Sequence, residues 1–179
     1  QLDVRVGTHD ELLPALREGE IDVAFVYDLQ LPADMDKQPI YQTEMQVVLH
    51  PEHRLANLDR PLELPDLVSE SLIVYESDPS TQHQMQLFAS QGLVPKLPAS
   101  VPQMILVAAM VGRGLGYGLL MRRPNNAEVS IEGRPLAFRE LKAPNYPNAV
   151  VAITPKGVQI PARVQALIDH CTCAMAESW

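Results

Sequence analysis

Hydrophobic and polar residues alternate at the start of the chain, where Leu2, Val4 and Val6 are separated by Asp3 and Arg5. A period of two predicts a half-buried strand. Gly7-Thr8-His9-Asp10 breaks the alternation, and Leu12, Leu13 and Leu16 then follow at helical spacing as far as Gly19. A glycine just past the last periodic residue suits a helix C-terminus. Thr8 and Glu11 have the spacing of a capping box, Asp10 is an equally good cap, and Pro14 favours the later start. Ile21 to Val26 is almost continuously apolar, as expected of a strand covered on both faces. Strand, short helix and buried strand make a βαβ unit, whose sheet is expected to be parallel.

The stretch from Leu29 to Lys37 is polar and contains proline, so it reads as a loop. Further strands are predicted over 46–49, 71–75, 117–120, 136–141 and 150–153. Pro61 to Asp66 reads as turns, and Asn125-Asn126 as part of a polar loop. Asp78-Pro79 has the form of a helix start, with Asp as N-cap and Pro at the first helical position. That helix carries Met85, Leu87 and Phe88 and stops at Gly92. Pro102 opens another helix, apolar nearly all round from Met104 to Val111 and therefore expected to be deeply packed. Pro161 opens a last helix through Val164, Leu167 and Ile168. Proline clusters make 49–51 and 144–148 the interior linker candidates.

A length of 179 residues fits one average domain or two small lobes. No run of eighteen apolar residues is present, which argues against a membrane partner. The opening Gln1-Leu2-Asp3-Val4 lacks the basic start of a signal peptide, so a cytoplasmic location is expected unless the start has been removed. Acids outnumber bases by 22 to 14, giving a net charge of −8 that argues against this chain holding nucleic acid by itself. Cys171 and Cys173 are too close for an ordinary disulfide and lack the companions of a zinc site. They are expected to be reduced, buried or half-buried thiols.

Gly112, Gly114, Gly116 and Gly118 stand at every second position, but after a helix and before a strand. A dinucleotide fingerprint needs the reverse order. These glycines are expected to end the helix and to allow close packing. His50 and His53 flank Pro51, which holds the backbone extended and keeps them off one helix face. A solvated loop is the expectation there, with no metal. No nucleophile elbow or catalytic cysteine signature occurs, so neither catalytic residues nor a cofactor are expected. What remains are two predicted helix starts, at Thr8 and at Pro102-Gln103. Backbone N–H groups and the positive end of the helix dipole suit such places to a small anion. The plainer alternative is that Thr8 and Asp10 only cap their helix.

Four stretches resemble LysR-type transcriptional regulators, in the family's order and spacing. ELLPALREGEIDVAFV (11–26) resembles a stretch in the first lobe of their sensing domain, and VVLHPEHRLA (47–56) resembles the crossing to the second lobe. LPDLVSESLIVYE (64–76) and LVAAMVGRGLGYGLLM (106–121) are similar to two further stretches, the last being the most specific. The resemblance covers nearly the whole chain.

It implies an α/β fold of two Rossmann-like lobes, like a type 2 periplasmic binding protein, joined by two crossover strands. Lobe I would take 1–49 and 149–179, and lobe II 50–148. The effector would be a small organic acid or amino-acid-like anion between the lobes, touching Gly7, Thr8 and His9 on one side and Val101, Pro102 and Gln103 on the other. The sensing domains would form homodimers, tetrameric at full length, with DNA held only by an N-terminal domain outside this chain. Exposed apolar residues on the helices after Asp10 and from Met104 would be the contacts between subunits. A first strand and helix of the family's sensing domain also find no counterpart here. Met121 stands where the family commonly has proline, and Gln103 where it has a small polar residue. A solute-binding receptor of a transport system would share the fold, and an enzyme on a doubly wound fold is a third possibility.

Overall fold

The structure is a computed structural model that describes residues 2–122, 128–142 and 148–176. It is mixed α/β. The helices are α1 (His9–Arg17), α2 (Leu64–Leu67), α3 (Ser80–Ala89), α4 (Met104–Gly112) and α5 (Ala162–Ala176). The strands run β1 (Ala24–Tyr27), β2 (Met35–Thr43), β3 (Met45–Leu49), β4 (Leu62–Glu63), β5 (Ser71–Tyr75), β6 (Lys96–Val101), β7 (Gly118–Met121), β8 (Ala137–Lys142) and β9 (Asn148–Pro155). Two compact units result, Gln1–Thr43 with Asn148–Trp179, and Glu44–Pro147. β3 belongs to the second of these units, where its partners are β7 and β8. The loop expected at Asn125-Asn126, and 144–147 of the expected linker, lie outside the described residues.

In the first unit β9 lies between β1 and β2 and runs antiparallel to both. Its sequence is apolar on successive residues because both faces are covered. Ala149, Val151 and Ile153 pack with Leu12 and Leu16 of α1. Val150 and Ala152 pack with Val164 and Ile168 of α5. Burying each valine, leucine or isoleucine among these contributes about 1.5–3 kcal/mol. Pro39 is tolerated in β2 because that strand is an edge, where a missing N–H costs no ladder bond.

The strand expected at Leu2 to Val6 does not form. Those residues lack strand pairing, and Leu2, Val4 and Val6 are 69, 71 and 94% exposed. The expected parallel βαβ unit is accordingly absent, since β1 pairs antiparallel with β9. Alternation specifies an extended backbone with two faces; it does not name the neighbour whose N–H and C=O groups complete the ladder. Thr8 is the N-cap of α1, so Pro14 sits inside the helix and not in its first turn.

In the second unit β3 lies between β7 and β8, and β4 extends that sheet in parallel with β8. The pair β5 and β6 is parallel, and a parallel bridge between Leu72 and Tyr117 lays β5 beside the start of β7. The C-terminal ends of β5, β6 and β7 therefore share one edge. Leu87 and Phe88 of α3 pack with Val74 and Leu119, while Val107 and Val111 of α4 pack with Val48 and Ile73. The deep packing expected of α4 is only half right, because Ile105 and Leu106 remain exposed. Pro79 proves to be the N-cap of α3, one residue later than the expected Asp78.

The histidine loop after β3 is held by hydrogen bonds. His53 Nδ1 accepts from the Leu55 N–H at 3.2 Å, and its Nε2 lies 3.2 Å from Glu70 Oε2. Arg139 of β8 donates to the carbonyls of Ala56 (2.7 Å), Leu58 and Arg60 (2.8 Å). No group of potential metal ligands occurs among the described residues. Cys171 is half-buried and Cys173 exposed, both free.

The glycine series does end α4 and permit close packing. Gly114 has φ +75°, and a Cβ on Gly118 would lie 2.5 Å from Val107 Cγ1 and 3.0 Å from Val48 Cγ1. The Gly118→Ala variant should therefore lose about 1–3 kcal/mol by overpacking, read as a lower urea midpoint at unchanged m-value. An unchanged midpoint would contradict this packing.

Candidate functional site

The two predicted segments fall on different units, and each is a helix start. Thr8 is extended, with φ −81° and ψ 170°, and its N–H donates to Glu11 Oε2 at 2.8 Å. The Thr8 hydroxyl donates to the same oxygen at 3.3 Å. A carboxylate from the chain itself thus already lies at this helix start. Gly7 makes room for it, since a Cβ there would come 2.7 Å from that oxygen. The amide and hydroxyl of Thr8 are engaged, and an external anion would have to compete with Glu11. His9, the third predicted residue, is half-buried. Burial pushes its pKa below the ordinary histidine value, opposed by the weaker attraction of Asp10.

Val101 ends β6, and Gln103 is the N-cap of α4 with φ −139° and ψ 132°. Pro102 and Gln103 are exposed, and the Gln103 side chain makes no cap hydrogen bond. Its carboxamide points neither donor nor acceptor at the helix end, unlike a Ser or Asp at the same position.

Two charged residues missed by the sequence reading stand on the same edge of the second unit. Glu76 follows β5; its N–H donates to Val101 O at 2.9 Å, and its carboxylate accepts the Ser100 hydroxyl at 3.2 Å. Arg122 follows β7; its N–H donates to Glu44 O at 2.8 Å, and its guanidinium lies 3.1 Å from Glu44 Oε1. Open α/β sheets hold ligands beyond the carboxyl ends of parallel strands. The pairing of β5 with β6 and with Tyr117 puts these two strand ends on one edge, and no local pattern in the sequence carries that pairing. No helix among the described residues is long and apolar enough to cross a membrane.

The chain matches the LysR substrate binding domain family over residues 1–176, and it belongs to that family. It is 26% identical over 174 residues to the HTH-type transcriptional regulator MetR of Salmonella typhimurium, covering 95% of this chain and 54% of that protein. The chain thus spans about half the length of the curated relatives it matches, which are transcriptional regulators and not enzymes. Among solved structures, the C-terminal domain of a probable LysR family transcriptional regulator from Rhodococcus sp. RHA1 is 32% identical with a TM-score of 0.89, covering 96% of this chain and 84% of that one. HinK, a LysR family regulator from Pseudomonas aeruginosa, is 28% identical with a TM-score of 0.86, covering 96% and 59%. The fold is therefore the type 2 periplasmic-binding-protein-like fold of LysR effector-binding domains.

The lowered pKa of His9 sets a pH dependence. The folded state disfavours its protonated form, so the unfolded chain binds more protons once pH falls below the ordinary histidine pKa of about 6.5. Stability is full above that value and declines as pH drops towards the folded pKa. His9→Gln should flatten the fall of Tm between about pH 7 and 5; an identical slope would assign the effect elsewhere.

Proposed function

We propose that this chain is the effector-sensing part of a cytoplasmic LysR-type regulator, holding a small anionic metabolite at the α1 and α4 starts. The candidate contacts are Gly7, Thr8 and His9 at the α1 start, and Val101, Pro102 and Gln103 at the α4 start. The observation that carries the reading is Glu11, whose carboxylate takes both the N–H and the hydroxyl of Thr8. The donors at this helix start thus suit a carboxylate, and an external one would reach them by displacing Glu11. Domains of this fold have been solved with small molecules: QuiR with shikimate at 20% identity, and BenM with benzoate at 20%. Each of those molecules carries a carboxylate.

The ligand acts by its difference in affinity between two arrangements of the oligomer. DNA would be held by a segment outside this chain, in keeping with a net charge of −8. We place the homodimer contact partly on α4, where Ile105 and Leu106 are exposed, with a tetramer at full length.

Thermal-shift screening of the protein against organic acids and amino acids should give a ligand whose affinity is then measured by calorimetry. Thr8→Ala and Gln103→Ala should each weaken it by about five- to tenfold, the value of one lost hydrogen bond. Unchanged affinity in both variants would remove the site from these helix starts.

A further inference from the structure

We infer that Glu11 is a built-in competitor for the effector, an autoinhibitory carboxylate that sets how often Thr8 is open to an external one. This concerns regulation of the site proposed above and rests on that reading. Glu11 Oε2 accepts the Thr8 N–H at 2.8 Å and the Thr8 hydroxyl at 3.3 Å. The hydroxyl makes no cap bond to the helix, so both Thr8 donors go to this one oxygen. Gly7 is fitted to the contact: a Cβ there would stand 2.7 Å from the same oxygen and 3.3 Å from the Glu11 Cβ. The space and the donors suited to an external carboxylate are thus both taken. Two carboxylates cannot share them, because like charges at one pair of donors repel.

Glu11 is also able to leave. It is exposed, and among the described residues its carboxylate has no partner besides Thr8. The arginines flanking α1 in sequence are engaged elsewhere, Arg5 with Glu20 and Arg17 with Asp34. Asp10 and Glu11 are the acids of the first turn, and burial disfavours a positive charge on His9. No cation of this turn therefore holds Glu11 in place. The turn itself outlasts the departure, since the N–H groups of Glu11 and Leu12 both donate to the Thr8 carbonyl, at 3.1 and 2.9 Å.

Exchange of one carboxylate for another leaves the number of hydrogen bonds at Thr8 unchanged. Affinity is then reduced by the fraction of time that Thr8 stands open, and preference for one effector comes from contacts made by the rest of its structure. Removing the Glu11 carboxylate should weaken the helix cap and strengthen binding, whereas a residue that only caps α1 would lower stability without that gain.

The test follows the Thr8 amide by NMR while acetate, the simplest carboxylate probe, replaces chloride at constant ionic strength. In Glu11→Ala the amide should titrate with a Kd about five- to tenfold lower than in the unsubstituted protein, as it would if Glu11 holds the donors about four-fifths to nine-tenths of the time. The Tm of Glu11→Ala without acetate should fall. Asp10→Ala removes a charge from the same turn but not the contact, and its Kd should stay within about twofold of the unsubstituted value. Equal titration of Thr8 in Glu11→Ala and the unsubstituted protein overturns the inference and leaves the helix-start reading standing. An equal gain in Asp10→Ala also overturns it, by making charge and not occupancy the cause. If Thr8 responds to acetate in neither protein, the α1 start takes no external carboxylate, and both readings fall.

Discussion

The first unit depends on one strand returning from far along the chain. β1 and β2 do not pair with each other; each is hydrogen-bonded to β9, which supplies the ladder for both. The same strand carries the apolar surface that α1 and α5 cover from opposite sides. Because β9 is needed in the first unit, the chain must leave at Thr43, build the second unit and come back at Asn148. The long excursion is therefore a consequence of sheet pairing. It makes folding of the first unit wait on a contact between residues more than a hundred positions apart, such as Ala24 with Ile153, which is a slow kind of contact to form.

Local patterns predicted elements well where one face or both faces are buried. Ser71-Leu72-Ile73-Val74-Tyr75 became β5 over the expected residues, and the run from Val150 to Ile153 sits inside β9. β2 escaped notice because it is a half-exposed edge whose first residues, Met35, Asp36 and Lys37, fall in the stretch read as loop. Leu2, Val4 and Val6 misled in the opposite sense. Their alternation is that of a strand, yet among the described residues no strand pairs with them. Periodicity reports which side of a segment is apolar; partner and direction are settled by the rest of the chain.

The site was legible to the same extent. A helix start at Thr8 or Asp10, with Pro14 favouring the later one, and another opened by Pro102 were expected; the caps prove to be Thr8, the earlier one, and Gln103, which leaves Pro102 outside α4. That the Thr8 donors are already occupied by Glu11 was present in the spacing of the two residues as a capping box, but the spacing could not say that the carboxylate would take both N–H and hydroxyl. Glu76 and Arg122 left no local trace. They are forty-six positions apart in sequence, and come to one edge only through the parallel alignment of β5 with the start of β7. Charges at the ends of strands are thus the part of a candidate site that sequence pattern reads worst, even where it reads the strands themselves correctly.

Hydrogen exchange followed by mass spectrometry tests the central claim about β9 most directly. With β9 in the middle of the sheet and covered on both faces, the amides of Val150 to Ile153 should be among the slowest in the first unit, while those of Asp3 to Val6 exchange at once. Rapid exchange in β9 together with protection of Asp3 to Val6 would show a sheet organised around a different strand, and would contradict the account.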